Sequence, residues 1–211
     1  MKVIAVNGSS NPKGNTAIAI DVIAEALAAK GISTDRIEVG QEPLRGCVAC
    51  GGCRKNLNRR CVFDDDLVNP CLEAMIAADG IVLASPVYFA GITGPLKSLL
   101  DRAYFVAGAN GGLFRHKIGA AAVAVRRAGS ATALDQLLKF FGISGMTVPG
   151  SNYWAMIYGM TPGEAAGDVE GRQCLRLLGE NMAWLLQLVE YGKGVLPPPP
   201  FEEKVRMNFI R

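Results

Sequence analysis

Short apolar runs alternate with longer segments of helical periodicity, and this alternation restricts the possible folds more than any other feature of the chain. Residues 2–6 form a β-branched run without a polar face, which is typical of a strand buried on both sides. Residues 16–31 follow with apolar positions three and four apart, the spacing of an amphipathic helix. The predicted strands are 2–6, 33–39, 81–88, 117–125 and 145–151, and the predicted helices are 16–31, 65–80, 94–106, 130–142 and 171–191.

Strands that alternate with helices predict an α/β fold, in which a parallel sheet carries helices on both faces. Five such strands suit the order 2-1-3-4-5, in which ligands bind beyond the carboxyl ends of the strands, near the point where the strand order reverses. We expect a single domain over residues 1–211, because this length supports one full core. Within it we expect a cysteine-rich insert at about 45–63 and a proline-rich tail at 196–211.

Composition argues against several classes of protein. The net charge is only +3 and no basic stripe is visible, so we expect no nucleic-acid partner. The longest apolar runs fall well short of a membrane span, so we expect no membrane partner. The first residues lack the pattern of a secretory signal, so we expect a cytoplasmic location, where clustered cysteines bind metal more often than they form disulfides.

The segment GSSNPKGNT, residues 8–16, joins the first strand to the first helix and has the features of a phosphate site. Its hydroxyl and amide groups are donors, its glycines let backbone N–H groups turn toward one point, and the helix N-terminus adds partial positive charge. The spacing matches neither a dinucleotide-binding G-x-G-x-x-G turn nor a Walker loop. We therefore expect one phosphate monoester here, and the alternative is an ordinary turn with a Ser or Asn cap.

Two further strand ends offer a surface for a flat ring. Residues 84–102 (ASPVYFAGITGPLKSLLDR) place proline and aromatic side chains beside glycines that allow close approach, which suits an isoalloxazine ring. Alone, this segment would indicate only a packed strand-to-helix turn. Residues 125–132 (VRRAGSAT) end the fourth strand, where Arg126 or Arg127 would place positive charge near the polar edge of the ring.

A cluster of four cysteines occupies fifteen residues, at Cys47, Cys50, Cys53 and Cys61. The tight spacing of the first three is typical of a cubane iron–sulfur cluster held by thiolates. Structural zinc and reduced thiols without metal stay open as alternatives, although zinc sites more often use two separated pairs. Cys71 and Cys174 fall in predicted helices, where we expect them to be buried as small apolar residues.

Taken together, the three loops resemble the NADPH-dependent FMN reductase branch of the flavodoxin-like proteins. The cysteine motif resembles that of the iron–sulfur flavoproteins, which carry FMN and a [4Fe–4S] cluster on the same fold. The resemblance extends to the terminal VRMNFIR and weakens between about residues 151 and 171. It implies a flavodoxin-like three-layer sandwich with a five-stranded parallel sheet.

The resemblance also implies the site residues. Those of the FMN site would be Ser9, Asn11, Gly14, Asn15, Thr16, Pro86, Val87, Tyr88, Phe89, Gly91, Arg127, Gly129 and Ser130. The ligands of the cluster would be Cys47, Cys50, Cys53 and Cys61. The seven-residue spacer before Cys61 is long for the motif. No side chain is assigned a catalytic role as an acid or a base.

The activity implied is that of an FMN-dependent oxidoreductase, which passes electrons between a reduced donor such as NAD(P)H or ferredoxin, FMN and a [4Fe–4S] cluster. Two alternatives stay open: a cluster-free NAD(P)H-dependent FMN or quinone reductase, and a non-enzymatic FMN-binding regulatory protein. We also expect a homodimer or homotetramer with the cysteine segment close to a subunit interface. The terminal MNFI would dock on a neighbouring subunit or pack on its own chain.

Overall fold

A five-stranded parallel sheet forms the centre of the molecule in the computed structural model, which describes residues 1–202, 204, 205, 207 and 209. The strands are β1 (Lys2–Asn7), β2 (Ser33–Glu38), β3 (Gly80–Pro86), β4 (Ile118–Val125) and β5 (Met156–Tyr158). They lie in the order β2-β1-β3-β4-β5, and every pairing is parallel. The predicted fold class and strand order are therefore confirmed.

Helices cover both faces of this sheet. They are α1 (Asn15–Ala28), α2 (Gly52–Asn56), α3 (Val68–Ala77), α4 (Gly94–Ala109), α5 (Ser130–Ile143) and α6 (Val169–Gly192), with a 3₁₀ turn at Glu164–Gly167. α1 packs against α6 on one face, and α3 packs against α4. The chain reverses its direction across the sheet after β2, so right-handed crossovers place α3, α4 and α5 on the face opposite α1. None of the described helices combines the length and the apolar character that a membrane crossing requires.

The buried strands differ from the edge strand as the sequence indicates. All eight residues of β4 are buried, because the strand lies between two others and under helices. β2 lies at the edge and carries Asp35 and Arg36, which are exposed. The interior of the sheet is therefore built from β1, β3 and β4, whose carboxyl ends are adjacent.

The fifth strand lies later in the chain than predicted, so the prediction of a strand at 145–151 is wrong. Within that segment only Thr147 reaches the sheet, through an isolated bridge to Ile118. β5 itself is three residues long and pairs with the end of β4. A strand this short shows no two-residue periodicity, which explains why the sequence pattern did not reveal it.

The part of the proline-rich tail at 199–201 lies against the protein surface. The Arg115 guanidinium donates from Nη2 to the carbonyl oxygens of Pro199 (3.3 Å) and Pro200 (3.2 Å). The same guanidinium lies 5.3 Å from the centroid of the Phe201 ring. The terminal VRMNFIR, which contains MNFI, includes residues outside the described part of the chain. The docking of MNFI on a neighbouring subunit or on its own chain therefore stays a prediction.

Candidate functional site

The loops that follow β1, β3 and β4 meet at the carboxyl edge of the sheet. Ser10 Oγ lies 3.2 Å from the Tyr88 hydroxyl oxygen, which joins the first loop to the second. Gly129 in the third loop packs so closely on the second that a Cβ there would lie 2.8 Å from the Cα of Ala90. The three segments predicted to bind FMN therefore lie next to one another and form one continuous surface.

The first loop is folded by hydrogen bonds from its own side chains. Asn7 Oδ1 accepts from the Ser9 N–H (3.0 Å), and Ser9 Oγ accepts from the Asn11 N–H (3.1 Å). Asn11 Oδ1 in turn accepts from the Lys13 N–H (3.0 Å). Ser9 is buried, and so is Thr16 at the start of α1. These bonds fix the loop as a series of tight turns before any ligand binds.

Backbone donors in the first loop and at the start of α1 are free of partners among the described residues, an arrangement that suits an anion. The N–H groups of Ser10, Asn15 and Thr16 have no hydrogen-bond partner within the described residues. Gly14 precedes the helix as its N-cap and supplies no side-chain cap. Free N–H groups at a helix N-terminus carry partial positive charge and bind phosphate groups well. The donor set of this loop therefore fits one phosphate.

The Asn15 side chain has a partner that the sequence did not indicate. Its Nδ2 donates to the Thr161 carbonyl oxygen (3.0 Å), and its Oδ1 accepts from the Ala165 N–H (3.1 Å). The side chain therefore holds the segment after β5 against the first loop, while the backbone N–H of Asn15 has no partner among the described residues. This segment lies where the sequence resemblance weakens, and it contains no motif that predicts its hydrogen bonds to Asn15.

Gly40, which the sequence analysis did not single out, supports the first loop from the β2 side. A Cβ at this position would lie 2.1 Å from the carbonyl carbon and oxygen of Ser9 and 2.5 Å from the Ser10 nitrogen. Only a residue without a side chain allows this approach of two backbones. A single glycine after an edge strand gives no sequence signal, because its role depends on how β1 and β2 pair.

The second loop contains a tight turn in an unusual conformation. The backbones of Tyr88 and Gly91 donate to each other's carbonyl oxygens, both at 2.9 Å. Between them Phe89 and Ala90 have φ values of +48° and +60°, a region that non-glycine residues rarely occupy. Strain of this kind is frequent at ligand-binding turns. The Phe89 and Ala90 N–H groups lack partners among the described residues, and the Phe89 side chain is fully exposed.

The remaining predicted residues of the ring site border this turn. Pro86 ends β3, and the Val87 N–H donates to the Ala124 carbonyl oxygen (2.9 Å) at the end of β4. In the third loop Gly129 has φ +87° and precedes α5, which begins with the buried Ser130.

Two arginines add positive charge beside the third loop. Arg126 and Arg127 are exposed, and neither forms an ion pair with another described residue. The site therefore has an uncompensated positive edge at the end of β4.

The four cysteines predicted as ligands line a cavity of about 300 Å³. Cys47 and Cys50 are exposed, while Cys53 and Cys61 are half-buried. Burial raises the pKa of the Cys53 thiol, and charge on the neighbouring Cys47 and Cys61 acts in the same direction. Within the described residues, no group of three or more His, Cys, Asp or Glu side chains is arranged to hold a metal ion.

Cys71 and Cys174 lie apart from this cavity. Both are buried, with 1% and 3% of their surface exposed, as predicted. Burial raises the pKa of the Cys71 thiol to about 12, so the group stays protonated.

The backbone around the cavity is irregular and is held by α4. Residues 45–51 are exposed, and Ala49, Leu57 and Arg59 have positive φ values. Asn110, next to the last turn of α4, accepts at Oδ1 from the Arg59 N–H (2.9 Å) and donates from Nδ2 to the Cys53 carbonyl oxygen (3.4 Å). The segment therefore depends on contacts with α4 more than on a core of its own.

The cysteine cavity is displaced from the three loops along α4. Thr93, which precedes this helix, donates from Oγ1 to the Gly8 carbonyl oxygen (2.8 Å) in the first loop. Arg102 and Phe105, which line the cavity, lie eight to eleven residues beyond the first residue of the helix, Gly94. At 1.5 Å per residue this corresponds to about 12–17 Å along the helix axis. The three loops therefore lie at the beginning of α4, and the cysteine cavity lies further along the same helix.

Comparisons with known proteins agree with this geometry. The family model for NADPH-dependent FMN reductase matches residues 1–161. An iron–sulfur flavoprotein of Methanocaldococcus jannaschii is 36% identical over 197 residues, which cover 90% of this chain and 100% of that protein. An iron–sulfur flavoprotein of Methanosarcina thermophila is 31% identical over 195 residues, which cover 92% of this chain and 99% of that protein.

Solved structures are similar in fold at low sequence identity. RosB with a bound riboflavin-phosphate intermediate superposes with a TM-score of 0.72 at 17% identity, over 100% of this chain and 92% of RosB. A WrbA-like flavodoxin from Agrobacterium tumefaciens superposes with a TM-score of 0.59 at 16% identity, over 89% of this chain and 98% of that one. These similarities support the flavodoxin-like fold.

Proposed function

The chain belongs to the NADPH-dependent FMN reductase family and is an FMN-dependent oxidoreductase similar to the iron–sulfur flavoproteins, and from this we propose that it passes electrons between a reduced donor, FMN and a [4Fe–4S] cluster. Bound FMN supplies two-electron or one-electron transfer and a cubane supplies one-electron transfer, while the protein contributes position and electrostatics. The single observation that carries the proposal is that four cysteines line one cavity on a fold whose first loop offers free backbone donors to a phosphate.

The phosphate of FMN would bind at the start of α1. The free N–H groups of Ser10, Asn15 and Thr16 supply backbone donors, and the adjoining Ser9, Asn11 and Gly14 shape the loop. We propose FMN rather than FAD because the site offers one phosphate position and the sequence has no second glycine-rich turn for a pyrophosphate.

The ring would lie against the second and third loops. The residues that would border it are Pro86, Val87, Tyr88, Phe89, Gly91, Arg127, Gly129 and Ser130. The free N–H groups of Phe89 and Ala90 would donate to the polar edge of the ring. The charge of Arg127 would favour negative charge at that edge, because no carboxylate among the described residues neutralises it.

The cluster would be held by Cys47, Cys50, Cys53 and Cys61. Structural zinc sites more often use two separated pairs of ligands, whereas three of these cysteines lie within seven residues, at 47–53. A cubane binds each thiolate on a different iron, so its ligands surround a cavity and need not converge on one point. Arg54, Lys55 and Arg59 are exposed near the cavity and would offset its negative charge, whereas Arg60 is paired with Asp64 and Glu73.

The displacement of the two sites along α4 has a consequence for assembly. In one chain the cysteine cavity is not part of the predicted flavin site, and Cys47 and Cys50 in its lining are exposed. We propose a homodimer or homotetramer in which the cysteine cavity of one copy lies near the FMN of another. The free state of all six cysteines suits a reducing cytoplasm.

Anaerobic reduction tests the oxidoreductase with its donor. Mixing the FMN-loaded protein with NADH, NADPH or a reduced ferredoxin should bleach the flavin band with at least one donor and support turnover with an added acceptor. A protein whose flavin is reduced by none of these, but only by dithionite, would instead be a flavin-binding protein without this activity. Heat-denatured protein with an equal amount of free FMN is the control.

A further inference from the structure

Arg102 in α4 is the largest fully buried side chain of the described residues, with 1% of its surface exposed. A guanidinium is charged at every physiological pH, and burying it without partners is strongly unfavourable. Its position on α4 faces the cysteine-rich segment, so the partners that justify the burial come from that segment.

Every hydrogen bond of this guanidinium goes to residues 45–66. Nη1 donates to the Arg45 carbonyl oxygen (3.2 Å) and to the Asp66 carboxylate, and Nη2 donates to the Phe63 carbonyl oxygen (2.9 Å). Nε donates to Cys61 Sγ at 3.3 Å. One side chain therefore ties together the beginning and the end of the cysteine-rich segment.

The bond to Cys61 differs in kind from the other three. A thiol sulfur is a weak acceptor, whereas a thiolate that ligates a metal is a charged one and forms a much stronger hydrogen bond. Cys61 is also the cysteine that follows the long spacer, so its position is fixed least by the spacing of the motif. The Nε–H of Arg102 has a direction set by the planar guanidinium, and this direction fixes where the sulfur lies.

We propose that Arg102 is a positioning residue for the cluster: it holds Cys61 as a ligand and raises the reduction potential through its N–H···S bond. This inference rests on the proposed function, since it requires the cluster. Reduction adds negative charge to the cluster, and a cationic donor to a ligand sulfur stabilises the reduced form more than the oxidised form. Hydrogen bonds to the sulfurs are among the factors that set cluster potentials.

Replacement of Arg102 by Met tests the proposal, with Arg54→Met as the matched control. Arg54 lines the same cavity and carries the same charge, but its guanidinium donates no hydrogen bond to a cysteine among the described residues. The measurement is an anaerobic redox titration of the holoprotein, followed by the EPR signal of the reduced cluster and by the flavin absorbance. Arg102→Met should lower the midpoint potential of the cluster clearly more than Arg54→Met, and the flavin potential should stay unchanged.

A second pair of variants protects the test against misfolding. Arg102→Met leaves the Asp66 carboxylate, whose side chain is only 11% exposed, without its cation, so Arg102→Met/Asp66→Asn removes both charges together. Arg102→Lys keeps the positive charge but loses the planar set of guanidinium N–H donors. It should therefore lower the cluster potential by less than Arg102→Met does. A cluster potential equal to the wild type, or a shift no larger than that of Arg54→Met, would overturn the inference while leaving the proposed function intact. A wild-type holoprotein without iron would instead overturn the proposed function, and the inference with it.

Discussion

Cys50→Ala should leave the anaerobically purified protein with its FMN but without most of its iron. Cys50 is one of four thiols around the cavity, and loss of one ligand opens a corner of the cluster to solvent. The flavin loops lie on other segments of the chain and are displaced along α4, so FMN binding should not change. Residues 45–63 should also exchange their amide hydrogens faster than in the wild type. This segment has no core of its own, so loss of the cluster would remove the bonds that order it. Iron, flavin and hydrogen-exchange measurements on the same preparation provide the comparison.

Cys71→Ala is the control for this change. Cys71 is buried outside the cavity, and its thiol stays protonated, so the variant should retain wild-type ratios of iron and sulfide to FMN. Its expected cost is confined to core packing. Wild-type iron content in Cys50→Ala would show that this cysteine holds no cluster, and iron loss in both variants would point to general instability.

Gly40→Ala should weaken FMN binding although position 40 does not belong to the predicted flavin loops. The new Cβ would overlap the Ser9 carbonyl group, and neither backbone can move without displacing the first loop. Overpacking of this kind costs about 1–3 kcal/mol, which corresponds to roughly 5- to 150-fold weaker binding if the loop takes up the strain. Fluorescence titration of the apoprotein with FMN measures the effect.

Gly142→Ala makes the same chemical change where a side chain has room. No atom lies within 4 Å of a Cβ at Gly142, which is inside α5. The variant should bind FMN as the wild type does and should gain about 0.5–1 kcal/mol of stability from helix propensity. Wild-type FMN affinity in Gly40→Ala would contradict the prediction that strain at the Ser9 carbonyl reaches the bound phosphate.

The sheet and the three loops could be predicted because their signals are local. The apolar run of β1, the turn at 8–14 and the periodicity of α1 lie next to one another in the sequence, and parallel strands place the loop ends together. The position of β5 was not predicted because the strand has only three residues, of which two are buried and one is exposed, and so shows no alternation of apolar and polar positions. The contacts of Gly40 with Ser9 are tertiary, so no local pattern could have shown them.

The cysteine site shows the same division between local and tertiary information. The spacing of the four cysteines predicted a shared site, and the structure brings all four to one cavity. The position of Arg102 in the sequence also carries a signal. It lies three residues after Leu99 and four before Val106, both buried, and so falls on the apolar stripe of α4. A charged residue on such a stripe requires a buried partner, and here the partner is the cysteine-rich segment.

Iron, acid-labile sulfide and flavin analysis of wild-type protein purified without oxygen tests the central claim most directly. The account predicts about four irons and four sulfides for each FMN, with broad visible absorption beyond the flavin bands that bleaches on reduction. Protein that contains FMN but neither iron nor sulfide would contradict the account and would identify a cluster-free reductase.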